Sequence, residues 1–174
     1  MTEEKMNIGK ELDKALYYVS YNLNKTCNNP KPVLLHSFKV AYHLLNYDYD
    51  KDIVISGALH DLIEDTDVTY EDIKEKYGKK IADIVLAVSF NKDIEDKYLQ
   101  AKEMFERCLE NGFDALIVKC SDLCDNIDFI SLTRESIKNE LLKKYELFLS
   151  ISKDIIGKEK IYQELLLKYQ KNNK

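Results

Sequence analysis

The sequence predicts an all-α protein, a single bundle of about eight helices. Apolar residues recur at three- and four-residue spacing through most of the chain. Only 5 Gly and 2 Pro stand among 174 residues, too few for many tight turns or long irregular stretches. The short apolar run "KIADIVLAVS" reads equally as a strand on periodicity, but nothing nearby offers it a pairing partner, so it is taken as helix.

In chain order, the first helix runs from about Glu4 to Asn24, with Ile8, Leu12, Ala15, Leu16, Val19 and Leu23 along one stripe. "NNPKP" breaks it, since closely spaced prolines favour extended or turn backbone. "VLLHSFKVAYHLL" resumes a helix to about Leu45, "NYDYD" ends it, and Asp48 or Asp50 caps the next helix, which carries "IVISGALHDLIED". Thr69 is the expected N-cap of "TYEDIKEKYG", with Gly78 as its stop. "IEDKYLQAKEMFERCLENG" is a charge-laced helix with a glycine stop, and "DALIVKCSDLCDNIDFI" is mostly apolar on one side. Two further amphipathic helices fill 135–169 and divide near "GKEK", and the lysine-rich end "KYQKNNK" is expected to fray. No repeat or linker interrupts the chain. One domain over 1–174 is expected, with its motif-bearing core at about 31–130 and C-terminal helices at about 135–170. Those last helices either cover the core or form a homodimer surface.

Charge and composition narrow the function classes. The net charge of −5 argues against a nucleic-acid or anionic-membrane partner. The longest apolar runs fall far short of a membrane span, and "MTEEKMNIGKELDKAL" lacks the basic start and apolar stretch of a signal peptide, so a cytoplasmic protein is expected. Cys27, Cys108, Cys120 and Cys124 have no Cys-x-x-Cys spacing and read as reduced thiols. Cys120 and Cys124, one turn apart, are weighed as soft-metal ligands and read instead as small core residues.

The residues suited to chemistry lie in three places. His36 is in the middle of one helix, and His60-Asp61 follows 24 residues later in the next. A short connection makes those helices antiparallel neighbours, so His36 can face His60. Asp122, in the otherwise apolar context "VKCSDLCDNI", points either to solvent or to something that neutralises it. Two imidazoles and two carboxylates suit a borderline divalent metal better than Ca²⁺. Glu64 lies four residues past His60, Asp65 four past Asp61 and Asn126 four past Asp122, so each pair shares a helix face.

The lone H, the H-D pair and the distant D resemble the HD superfamily of metal-dependent phosphohydrolases. "HDLIEDTDVTYEDIKEKYG" followed by "VKCSDLCDN" is similar to one branch, the RelA/SpoT-type and small stand-alone alarmone (ppGpp) hydrolases. There the pattern is H-D-x-x-E-D-T and a lysine three residues before D-x-x-x-N. The resemblance covers about 35–126. It implies metal ligands at His36, His60, Asp61 and Asp122, with Mn²⁺ first among Fe²⁺, Zn²⁺, Co²⁺ and Mg²⁺. It implies that Glu64 and Asp65 handle the nucleophilic water, and that Asn126 faces substrate or metal. Lys119 is evenly divided between a phosphate contact and a snorkelling surface lysine.

The chain departs from the branch around the first histidine, where "G-x-P-Y-x-x-H-P" is usual and "CNNPKPVLLHSFKVA" stands here. Pro32 survives, while Cys27 and Asn28 stand where the branch places a basic pair. Leu123 and Asp128 stand where a basic residue is common. Ser37, Lys39, Lys119 and Arg134 are candidate substitutes. Structural readings fit the remaining polar residues: His43 as a satisfied core or rim histidine, Asp67, Glu71 and Asp72 as capping and solvated charges, Asp125 as exposed. The expectation is thus a metal-dependent phosphohydrolase acting on a small-molecule nucleotide, with removal of the 3′-pyrophosphate of guanosine 3′,5′-bis(diphosphate) as the first reaction. Another nucleotide or phosphate ester is the alternative, as is a regulator that binds a nucleotide without turning it over.

Overall fold

Two helices are apolar on nearly every side and form the axis of the fold. In the computed structural model, which describes residues 2–26 and 32–173, these are α3 (Lys51–Leu59), buried at every position from Ile53 to Leu59, and α8 (Phe113–Asn126), buried from Ala115 to Cys124. A helix apolar all round belongs in the centre of a bundle, because no face of it gains from water. Around α3 pack α1 (Glu3–Thr26), α2 (Val33–Asn46) and α6 (Lys79–Val88). Around α8 pack α2, α6, α7 (Lys97–Asn111), α9 (Glu135–Ile156) and α10 (Lys160–Asn172). Short helices α4 (Leu62–Asp65) and α5 (Tyr70–Tyr77) follow α3, and a 3-10 helix (Ile127–Leu132) continues α8. The described residues therefore hold ten α-helices, one 3-10 helix and no strand. "KIADIVLAVS" is helical, as expected. Of "NNPKP" only Pro32 is among the described residues, and Cys27 and Asn28 lie outside them.

Local chemistry explains most boundaries. The Thr69 hydroxyl accepts from the Asp72 N–H while the Asp72 carboxylate accepts from the Thr69 N–H, a reciprocal box that starts α5. Gly78, at φ +92°, ends that helix in backbone that a side chain would strain. Asp96 Oδ1 accepts from the N–H groups of Tyr98 and Leu99 at 2.8 and 2.9 Å, so α7 starts there rather than at Ile94. Asp50 occupies the N-cap position of α3 but makes no side-chain cap bond, and Asp48 sits in the preceding turn at φ +60°.

At Gly57 the α2 and α3 backbones come close. A Cβ there would lie 2.5 Å from Leu44 Cδ1 and 3.4 Å from Val40 Cγ1. This approach sets how near His36 on α2 can come to His60 just beyond α3.

The last two helices cover the core. Leu142, Tyr145, Phe148 and Leu149 of α9 and Ile161, Tyr162 and Leu165 of α10 are buried, and Phe148 meets Phe105 edge-on at 5.2 Å. Of "KYQKNNK", expected to fray, the residues from Lys168 to Asn172 are helical as the end of α10. Lys168 Nζ donates to the Cys124 carbonyl at 2.9 Å and to Asp128 at 3.0 Å, which ties this end to the centre. Cys108, Cys120 and Cys124 are buried free thiols, and the Cys124 thiol lies 3.7 Å from the Ile161 carbonyl, a core role. Among the described residues no helix is long and apolar enough to cross a membrane.

Candidate metal centre

The expected continuous helix through "IVISGALHDLIED" breaks at the two residues of most interest. α3 stops at Leu59, and His60 and Asp61 form a turn before α4. Asp61 has ψ −5°, a tightened conformation that interrupts the helical hydrogen-bond ladder. On an unbroken helix, neighbouring side chains diverge by about 100°. Here both turn to one point, with His60 Nε2 3.0 Å from Asp61 Oδ1.

Three segments converge on that point. His36 Nε2 lies 3.2 Å from His60 Nε2, 3.1 Å from Asp122 Oδ1 and 3.7 Å from Asp61 Oδ2. His60 and Asp122 are only 1% and 4% exposed. One ligand atom each from His36, His60 and Asp122 falls within a span of 4.8 Å, the geometry of a metal-holding group, and Asp61 adjoins both imidazoles.

The outer ring nitrogens fix the tautomers. His60 Nδ1 is 2.8 Å from the Gly57 carbonyl and His36 Nδ1 is 2.7 Å from Asp125 Oδ2. A carbonyl and a carboxylate only accept, so both Nδ1 atoms carry the hydrogen. The two Nε2 atoms then face each other with a carboxylate oxygen beside each, an approach that calls for positive charge, as protons on the rings or as a metal cation between them. The donor set of two imidazoles and two carboxylates fits a divalent cation. Without metal, protons fill the need. Burial works against the His36 imidazolium, but hydrogen bonds to Asp122 and Asp125 outweigh it and push its pKa up to about 10. His60, opposed by burial, is raised by Asp61. Burial likewise opposes ionised Asp61 and Asp122, yet His60 holds the first low, and Lys119 with both histidines holds the second well below the ordinary carboxylate range.

A second layer surrounds the four. Lys119 is buried and donates to Asp122 Oδ2 at 2.8 Å, so the snorkelling alternative is ruled out. Its ammonium stays charged against burial because Asp122 and Glu64 are near, and it lies 5.2 Å from the Phe90 ring. Asn126 Nδ2 donates to Asp122 Oδ1. Glu64 Oε1 accepts the Phe90 N–H at 2.6 Å, and burial raises its pKa to about 7 although Lys119 pulls the other way. Asp65 is half-buried at the end of α4, its N–H donating to the Asp61 carbonyl at 2.9 Å.

Two features escaped the sequence. Asp125, read there as exposed, has a side chain only 12% exposed and accepts from His36 and from Lys39 Nζ at 3.0 Å. Its position three residues after Asp122, on the same helix face, was the available signal. The other is the loop after α6, which carries the Phe90 N–H. Arg107 donates to the carbonyls of Leu86 and Ser89, both at 2.6 Å, and Gln100 to that of Asn91 at 2.9 Å. No sequence pattern marks a backbone donor delivered this way. The structural readings of the other polar groups hold. His43 meets Glu164 at 3.0 Å and Ser121 at 3.2 Å, Asp72 completes its capping box and Glu71 pairs with Lys74.

Comparison with known proteins places this geometry. The HD-domain family profile matches residues 15–144. The guanosine-3′,5′-bis(diphosphate) 3′-pyrophosphohydrolase of Aquifex aeolicus is 33% identical over 116 residues, 66% of this chain and 17% of that protein. The pyrophosphohydrolase MESH1 of Drosophila melanogaster is 28% identical over 78 residues, 45% of this chain and 43% of that one. The chain thus spans well under two thirds of the curated relatives it matches. A solved structure described as a metazoan ortholog of SpoT that hydrolyses ppGpp superposes with a TM-score of 0.78, covering 98% of this chain and 96% of that one at 16% identity. The structure of lmo0812 from Listeria monocytogenes gives 0.71 at 19% identity, covering 80% of this chain and 96% of that one. At those identities the likeness is one of fold. The fold, the three converging segments and the extent of the profile match agree: the chain belongs to the HD-domain family.

Proposed function

We propose that this chain is a metal-dependent phosphohydrolase that removes the 3′-pyrophosphate of guanosine 3′,5′-bis(diphosphate). The observation that carries the reading is the pair of Nε2 atoms, 3.2 Å apart and flanked by Asp61 and Asp122, with the buried Glu64 carboxyl close enough to feel the charges of Asp61 and His60. His36, His60, Asp61 and Asp122 would hold the metal; their mixed nitrogen and oxygen donors suit a borderline divalent cation, and the family resemblance puts Mn²⁺ first among these. When bound, such a cation lowers the pKa of water and neutralises charge on a phosphoryl oxygen.

The chain's own groups supply the rest. Glu64, its Oε1 fixed by the Phe90 N–H and its pKa near neutrality, takes the proton of the attacking water. Asp65 passes that proton on. Lys119 sets a permanent positive charge behind the reacting phosphate, and Asn126 steadies the Asp122 carboxylate on the substrate side. Water's oxygen bonds to the phosphorus attached to the 3′-oxygen, and that P–O3′ bond breaks. The proton taken from water ends on the leaving 3′-oxygen, which gives pyrophosphate and guanosine 5′-diphosphate with a new 3′-hydroxyl. The names of the relatives support the alarmone substrate. Buried Leu123, standing where the branch has a basic residue, favours a changed substrate contact and keeps a different nucleotide as the second reading. The reading includes a cytoplasmic location, in line with the free thiols, and leaves homodimerisation to a sedimentation measurement.

The test is pyrophosphate release from guanosine tetraphosphate by purified protein with Mn²⁺, with His60→Ala as control. Release that disappears in the variant supports the proposal. Protein that holds Mn²⁺ but releases nothing refutes the alarmone substrate, and inertness toward a wider panel of nucleotides would point to the non-catalytic regulator.

A further inference from the structure

We infer that Asp125 and Lys39 form a clamp that holds His36 in its metal-binding tautomer. The inference rests on the metal reading above. His36 and Lys39 are three apart on α2 and so leave the helix on one side. Both close on a single carboxylate of α8: Nδ1 of His36 on Oδ2 at 2.7 Å, Nζ of Lys39 on Oδ1 at 3.0 Å. Lys39 is braced in turn 5.3 Å above the Phe129 ring, on the 3-10 helix that continues α8. Both oxygens of Asp125 are thereby directed, and the carboxylate cannot rotate without giving up one of its two partners.

The two imidazoles are held by unlike means. His60 is fixed by the Gly57 carbonyl, part of its own turn. His36 has no such local anchor among its hydrogen bonds, which run to Asp125, Asp122 and His60 on other segments. Asp125 therefore keeps a hydrogen on Nδ1 of His36, so that Nε2 offers its lone pair once a cation replaces the proton it shares with Asp122. A carboxylate partner also makes the imidazole a more basic ligand than a carbonyl partner does. Asp125 is a positioning residue: it reaches the metal only through His36.

The experiment measures Mn²⁺ affinity of chelator-stripped protein by calorimetry, with imidazole ¹H–¹⁵N spectra of the Zn²⁺-loaded forms. Asp125→Leu is expected to weaken Mn²⁺ binding by about 10- to 100-fold and to abolish the single Nδ1–H signature of His36. Asp125→Asn, whose amide oxygen still accepts from Nδ1–H, recovers part of the affinity and the signature. Lys39→Met, which unfixes the carboxylate, falls between Asp125→Asn and wild type. Asp128→Asn, an exposed carboxylate close by in sequence whose partner is Lys168, leaves both readouts unchanged. If Asp125→Leu does not fold, the Asn and Lys39 variants carry the test. A folded Asp125 variant with wild-type affinity and an intact His36 signature overturns the clamp while leaving the hydrolase reading standing. Wild-type protein that takes up no Mn²⁺ overturns both.

Discussion

Glu64→Gln in metal-stripped protein isolates the electrostatic character of the centre. Burial lifts the Glu64 carboxyl from 4.5 to about 7. The folded protein therefore keeps a proton that the unfolded chain has already released in that window, and stability falls as pH climbs through it. At about 1.4 kcal/mol for each pKa unit, the full change is about 3 kcal/mol, an upper bound because the carboxyl is not wholly shielded from water. The substituted amide keeps an oxygen to accept the Phe90 N–H but cannot ionise. Urea unfolding with chelator at pH 5 and pH 8 is the assay. Near pH 5 the two proteins should differ little, and by pH 8 the variant should be the more stable by up to about 3 kcal/mol, or about 6–12 °C in Tm. Saturating Mn²⁺ should shrink the gap, since a cation beside Asp61 eases ionisation of Glu64. Stability curves that run parallel from pH 5 to pH 8 would refute the placement of Glu64 as a buried group ready to accept a proton.

Other parts of the fold make their own demands. Arg107→Ala removes the donors that fix the loop behind Phe90. It should cost about 1–3 kcal/mol and lower kcat by about tenfold or more, with Mn²⁺ affinity unchanged by calorimetry. Gly57→Ala forces a Cβ against Leu44 between α2 and α3. It should cost about 1–3 kcal/mol and weaken Mn²⁺ binding as well, because the same gap sets the His36–His60 distance. Phe148→Ala, which opens a cavity beside Phe105, should cost about 3–5 kcal/mol in denaturant unfolding while activity per folded molecule stays near wild type.

How much of this could be read from the chain follows from what each feature depends on. The helices were legible because an apolar stripe and a cap are local: Thr69 with Asp72 starts α5 and Gly78 ends it wherever the segment lies. The residues that meet at the centre were legible too, since His36, His60, Asp61 and Asp122 have few other uses in largely apolar helices. Asp125 was not, because three residues past Asp122 an aspartate faces solvent or a neighbour according to what packs there, and here α2 packs there. Lys119 was undecided for the same reason. Its burial comes from the enclosure of α8 by six other α-helices.

The sequence by itself therefore determined the helical class and most of the helix boundaries, and singled out the four polar residues that meet at the centre, because these follow from short-range periodicity and side-chain chemistry. Only the tertiary structure decided how the donors are held. It broke the helix at His60 and Asp61 so that both face one point, chose the tautomers through the Gly57 carbonyl and Asp125, and buried Glu64 until its proton affinity matched neutral pH. Tautomer and proton affinity are set by partners and solvent exclusion from distant segments, and those exist only once the chain has packed.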